Sequence, residues 1–103
     1  MATKNQVFTL VKRKVHNIDP EAKIILFGSR ATKTARSDSD WDFLILTKRD
    51  VTPVFKNRIT DSLFEAELET DELISGIVQN IFNWNSYSST PIYMHINENG
   101  IEL

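Results

Sequence analysis

The sequence predicts an α/β domain of the α+β kind, a small mixed β-sheet backed by helices. Three observations lead there. Apolar runs of strand length occupy residues 22–27, 40–47 and 73–79. Two longer stretches, 3–17 and 52–68, repeat apolar residues at helical spacing. These strand and helix signals alternate along 103 residues, a length that supports one modest core, so residues 1–103 are read as one domain.

Each element has its own signals. Thr3 with Gln6 matches a capping box, and Val7, Leu10, Val11, Val15 and Ile18 trace one helical face. Asp19-Pro20 breaks that pattern. Residues 22–27 are rich in isoleucine and end on Gly28-Ser29, which predicts a buried strand and a sharp turn. Residues 29–35 predict a short helix or helical turn, 36–39 a polar loop, and 40–47 the second strand. Thr52-Pro53 is a cap followed by proline at the first helical position. Phe55, Ile59, Ser62, Leu63 and Ala66 then trace one face. The acidic run at 65–72 is locally ambiguous, and Ser75-Gly76 interrupts the third strand. Residues 82–89 predict a loop with a helical turn, and Thr90-Pro91 starts a short helix that closes near Gly100. Helices are expected to cover one face of the sheet, leaving a groove where the Gly-Ser turn meets the second strand.

Composition narrows the functional classes. The chain is 41% hydrophobic and 25% charged, as in soluble globular proteins. It has no cysteine, hence no disulfide framework or thiol nucleophile. No apolar run approaches the roughly 20 residues of a membrane span, and the N-terminus lacks the apolar core of a signal peptide. A cytoplasmic location fits. The net charge of −2 is unevenly spread. All twelve Lys and Arg precede Ile59, among six acids, whereas residues 59–103 hold eight acids and no base. The first part is thus suited to anions, and the second to a basic partner or to water. Without a basic stripe or a high isoelectric point, nucleic acid is not the leading partner.

The chemistry concentrates at Gly28-Ser29 and at Asp40-Trp41-Asp42. Strand side chains alternate, so Asp40 and Asp42 share one face and Trp41 and Phe43 the other. Two carboxylates about 7 Å apart on one face repel unless a cation lies between them. Oxygen-only ligands favour Mg²⁺ or Mn²⁺. A glycine lets backbone approach a ligand closely, and the N–H groups of a helix start bind phosphate. Arg30, Lys33 and Arg36 add positive charge nearby. A phosphate turn facing a carboxylate pair is the arrangement nucleotide chemistry requires. His16 and His95 are isolated from any metal-ligand spacing.

The stretch Phe27-Gly28-Ser29-Arg30-Ala31 … Ala35-Arg36-Ser37-Asp38-Ser39-Asp40-Trp41-Asp42-Phe43 resembles the signature of the polymerase-β-type nucleotidyltransferase superfamily, in particular its minimal nucleotidyltransferases. The resemblance implies Mg²⁺ at a two-metal site, ATP as substrate, and transfer of a nucleoside monophosphate to a hydroxyl with release of pyrophosphate. It implies that Gly28 and Ser29, with Arg30 beside them, bind the nucleotide, and that Asp40 and Asp42 are catalytic and hold metal. Two departures stand out. Thr32-Lys33-Thr34 occupies a region where the family often has glycine. Active members also carry a third carboxylate on a later strand, and the run Leu73-Ile74-Ser75-Gly76-Ile77-Val78 contains none. Glu69, then Glu67, is the nearest candidate for that metal ligand. With no separate acceptor domain, the acceptor must come from a second copy or another protein. The resemblance implies a small helical partner of the HEPN type, the toxin of a toxin–antitoxin pair. The alternative is a nucleotide-binding or partner-binding subunit with weak or absent turnover.

Overall fold

The computed structural model describes residues 2–36 and 38–103; Ser37, in the predicted polar loop, lies outside them. Helix α1 (Lys4–Ile18) opens with the capping box: Thr3 Oγ1 accepts from Gln6 N and Gln6 Oε1 accepts from Thr3 N. Strand β1 (Lys23–Phe27) runs into Gly28 and the four-residue helix α2 (Ser29–Thr32). Strand β2 (Trp41–Thr47) leads through Thr52, which caps α3 (Pro53–Thr70). Strand β3 (Ile74–Asn80) follows, then α4 (Ile81–Asn85), α5 (Pro91–Asn99) and a two-residue strand β4 (Ile101–Glu102).

The sheet is mixed, in the order β3-β2-β1-β4. Strand β2 is antiparallel to β1 and parallel to β3. The continuous apolar run Phe43-Leu44-Ile45-Leu46 is buried on both sides. Trp41, Phe43 and Ile45 pack with Val7, Val11 and Val15 of α1 and with Phe55, Ile59, Leu63 and Ala66 of α3. Leu44 and Leu46 pack with Trp84 of α4 and Ile96 of α5. Helices therefore cover both faces, which corrects the expectation of one. Three other differences each have a physical cause. The acidic run stays helical to Thr70, and Asp71 then ends α3 in the left-handed region at φ 56°. Ser75-Gly76 sits inside β3 without breaking it, because every residue of the strand has a partner in β2. The tail after Gly100 pairs with β1 as the second edge strand, a contact set by tertiary packing.

A buried carboxylate joins α1 to the far end of β2. Asp19 is 2% exposed, and its Oδ2 accepts from Thr47 Oγ1 at 2.6 Å. Its Oδ1 accepts from Glu21 N at 3.2 Å, and Arg49 Nε lies 3.8 Å away. Asp19→Asn keeps the shape but replaces an ionised acceptor by a neutral amide. We expect a loss of about 1–2 kcal/mol, seen as a lower urea midpoint at unchanged slope. An unchanged midpoint would mean that this knot does not hold the two elements together.

Candidate active site

Alternation along β2 sends Asp42 to the face that also carries Leu44 and Leu46, away from α1 and α3. Asp40 directly precedes the strand and shares that parity. Across the antiparallel pair Asp42 stands opposite Phe27, so the turn after β1 closes over it. Gly28 has φ 76° and ψ −158°, a region essentially confined to glycine. A Cβ at residue 28 would lie 2.7 Å from Asp42 Oδ2. The glycine thus serves two needs, an unusual dihedral and a close approach to a carboxylate. Its carbonyl accepts from the N–H groups of Ala31 and Thr32, closing α2 behind it.

Arg30 points back along the loop. Its guanidinium lies 4.3 Å from the centre of the Trp41 ring, and Nη2 and Nε donate to Ser39 O at 2.8 and 3.2 Å. Ser39 Oγ accepts from Arg36 N at 2.8 Å. These contacts fix the segment that delivers Asp40, one residue after Ser39. Arg30 was expected beside the nucleotide; in this structure those contacts make it a clamp on the aspartate loop.

Lys33 ends α2 in the left-handed region at φ 62°. This is the stretch where the resembling family often has glycine. Lys33→Gly relieves the Cβ penalty, and we expect a gain of about 0.5–1 kcal/mol, or roughly 2–6 °C in melting midpoint. A destabilised variant would mean that the lysine side chain has a packing role that outweighs its backbone.

The electrostatics follow from the geometry. Burial beneath the turn raises the Asp42 carboxyl above the ordinary aspartate value of 3.8, and the charge of Asp40 adds to it. The donor set is two carboxylates on one side, with the glycine turn and the first residues of α2 beside them. It fits a hard divalent cation such as Mg²⁺.

The third ligand expected at Glu69 is not there. Glu69 Oε2 lies 2.8 Å from Lys14 Nζ and Glu65 Oε2 3.1 Å from it, on the layer of α1 and α3. That ion pair lowers the Glu69 carboxyl below its ordinary range. Glu67 Oε1 instead accepts from Ile74 N at 2.8 Å and ties α3 to the start of β3. No group of three or more His, Cys, Asp or Glu among the described residues is placed to hold a metal ion. What stands beside Asp42 on β3 is Ser75, its partner in the parallel register and on the same face. The alternation of the β3 run carries this signal, but only once the register is known.

Other candidates take structural places. His16 Nε2 lies 2.9 Å from Ala22 O. Trp84 is buried against Tyr93, ring centres 5.2 Å apart. The two line a cavity of about 340 Å³ with Ile25 and Leu46, towards the end of β2 remote from Asp40.

The family model of the nucleotidyltransferase domain matches residues 6–95. The chain belongs to the nucleotidyltransferase family. It is thus a transferase by family, and the aspartates and the Gly-Ser turn lie within the matched span. No curated protein matches the sequence. Among solved structures, the fold is similar to a toxin–antitoxin crystallised with AMP-PNP, with a TM-score of 0.65 and 17% identity over 98% of this chain and 72% of the other. It is also similar to a mutant of the toxin–antitoxin MntA-HpeT, with a TM-score of 0.61 and 16% identity over 100% of this chain and 72% of the other. Among the described residues, no helix is long and apolar enough to cross a membrane.

Proposed function

We propose that this nucleotidyltransferase moves AMP from ATP, with Mg²⁺, onto a hydroxyl of a partner protein. In this reading it is the antitoxin of a toxin–antitoxin pair, and the partner is a small helical toxin of the HEPN type. The observation that carries the reading is the Asp42 carboxylate pressed against the glycine turn, with Asp40 close enough for its charge to act on it: Asp42 Oδ2 occupies the space a residue-28 side chain would need. The two similar structures, both toxin–antitoxins and one with AMP-PNP, support a nucleotide and a protein partner.

In the proposed reaction the acceptor oxygen bonds to the α-phosphorus, the bond to the bridging oxygen breaks, and pyrophosphate leaves. Gly28 and Ser29 hold the triphosphate through backbone N–H groups at the start of α2, where such groups have no partner within the helix. Asp40 and Asp42 hold the cation, which when bound neutralises the triphosphate and acidifies the attacking hydroxyl. Arg30 keeps Asp40 in place through Ser39. Calorimetry tests the first step. ATP should bind in Mg²⁺ and not in EDTA, and labelled AMP should then appear on the co-expressed partner. Metal-independent binding, or label on no protein, would sink the reading.

A second reading has one observation in its favour. Ser75 beside Asp42 leaves two carboxylates where two metals need more ligands. The chain would then bind nucleotide and partner with little turnover. Ser75→Asp separates the readings. A third carboxylate at that corner should tighten Mn²⁺ binding by about 10–100-fold and raise turnover with it. Tighter metal without faster transfer would favour the binding subunit. No change in metal affinity would mean that residue 75 does not reach the cation.

A further inference from the structure

Asp42 has a different neighbour on each side within the sheet. On β1 it is Phe27, which leads into Gly28, and on β3 it is Ser75. Adjacent strands lie about 4.8 Å apart. The residue after Ser75 fixes its orientation. A Cβ at residue 76 would run into the Leu63 and Ile45 side chains, within the layer of α1 and α3. Alternation then turns Ser75 to the opposite face, the one that carries Asp42 and Leu44. Ser75 is exposed on the outermost strand, and its hydroxyl has no hydrogen-bond partner among the described residues.

Other hydroxyls near the site are engaged or lie on another side of it. Ser39 Oγ accepts from Arg36 N, and the Thr32 and Thr34 hydroxyls are 3.0 Å from each other. Tyr93 lines the cavity towards the remote end of β2. Ser29 is on the turn itself, on the β1 side of Asp42. Displacement at phosphorus is in line, with the entering and leaving oxygens on opposite sides. A triphosphate held by the turn sends its pyrophosphate away on the β1 side of Asp42. The entering oxygen then comes from the β3 side, where Ser75 stands.

We infer that Ser75 is itself a nucleotidyl acceptor: given ATP and Mg²⁺, the chain transfers AMP to its own Ser75 Oγ. The inference rests on the transfer reading above and adds an acceptor within the chain. Ser75 Oγ bonds to the α-phosphorus and the bond from that phosphorus to the bridging oxygen breaks. Pyrophosphate leaves with the electron pair, and the hydroxyl proton passes to solvent. Donor and acceptor share one sheet, so the step is intramolecular and needs no partner. Its product is a phosphodiester at the corner beside Asp42, which closes the site to a second acceptor.

The test uses the purified full chain with labelled ATP and Mg²⁺ and no second protein. One AMP per chain is expected on the peptide that carries Ser75. The labelled fraction at a given time should stay constant over a roughly 10-fold range of chain concentration. Ser75→Ala should lose the label and Ser75→Thr should keep it. The side chain is exposed, so the melting midpoints of both variants should stay near that of the native chain. A second readout needs no turnover. The chain has no cysteine, so Ser75→Cys introduces a single thiol. Mg²⁺ with α,β-methylene-ATP, which cannot transfer AMP, should slow alkylation of that thiol by about 10-fold. Val54→Cys, 71% exposed before the same treatment, should react at an unchanged rate. The inference is overturned if the label falls on another residue, if Ser75→Ala is labelled like the native chain, or if labelling rises with chain concentration. A thiol at position 75 that the nucleotide leaves unprotected overturns it as well. If the co-expressed partner takes AMP while Ser75 takes none, self-transfer is wrong and the transfer reading stands. If neither is labelled and ATP does not bind in Mg²⁺, the transfer reading falls with it.

Discussion

Asp42→Asn will abolish metal-dependent ATP binding and reduce transfer by about 10³-fold or more, and it will make the metal-free chain more stable. The two effects share one cause. The carboxylate is partly buried under the Gly28 turn and faces Asp40 on the same side of β2, so its ionised form is disfavoured in the metal-free chain. Its folded pKa lies above the unfolded value. Asp42 therefore contributes stability in its protonated form, fully present below the ordinary value of 3.8. That contribution is lost as pH rises through the raised folded value. At neutral pH the ionised side chain costs stability instead. Asparagine removes the charge at almost constant shape. The partial exposure of the site limits the gain to about 0.5 kcal/mol, or roughly 2–4 °C in melting midpoint. Thermal melts without metal from pH 3 to 7 check it. The difference between native and variant should grow as pH rises above 3.8 and then level off. A variant less stable than the native chain at pH 7 would mean that Asp42 is satisfied in the metal-free protein. Retained Mg²⁺-dependent ATP binding would remove Asp42 from the metal site altogether.

Most of this arrangement is legible in the sequence because local rules and tertiary packing agree there. The capping box at Thr3, the Thr-Pro starts at Thr52 and Thr90 and the buried face of α3 all follow from short-range chemistry, and each is present in the fold. The approach of Gly28 to Asp42 follows from two strands that end at the same edge of a sheet. What escaped sequence reasoning depends on partners far apart in the chain. The second helical layer is needed because β2 is apolar on both faces, and alternation alone does not say which helices cover which face. Strand β4 is two residues long and is defined only by β1 beside it. Glu69 looked available in an acidic run, but Lys14 on α1, 55 positions earlier in the chain, takes it. Arg30 is expected beside the nucleotide from its place in the motif, and its hold on the loop through Ser39 O is a further role that the motif does not announce. Trp41, itself part of the motif, draws the guanidinium back onto the loop. Ser75 at the corner beside Asp42 emerges only from the parallel register.

Gly28→Ala should damage the turn and the carboxylate together. The residue has a positive φ with an extended ψ, a combination that costs a side-chain-bearing residue about 1–3 kcal/mol. The new methyl group would also sit 2.7 Å from Asp42 Oδ2, closer than real Cβ contacts come, with the carboxyl carbon at 3.5 Å. Either the turn lifts away from β2 or the carboxylate swings aside. Both movements separate the backbone proposed to hold the triphosphate from the oxygen proposed to hold the cation. We therefore expect a stability loss of about 2–3 kcal/mol and a transfer rate at least about 10²-fold lower. The two contributions can be pulled apart. Asp42→Ala removes the carboxylate that the methyl group would meet but leaves the dihedral of residue 28 as it is. In that background Gly28→Ala should cost only the backbone part, about 1–2 kcal/mol, so the double-mutant cycle should show a coupling of about 1 kcal/mol. If Gly28→Ala costs the same in both backgrounds, backbone conformation alone demands glycine at this position. The close approach to Asp42 would then be a consequence of the turn, not a constraint on it.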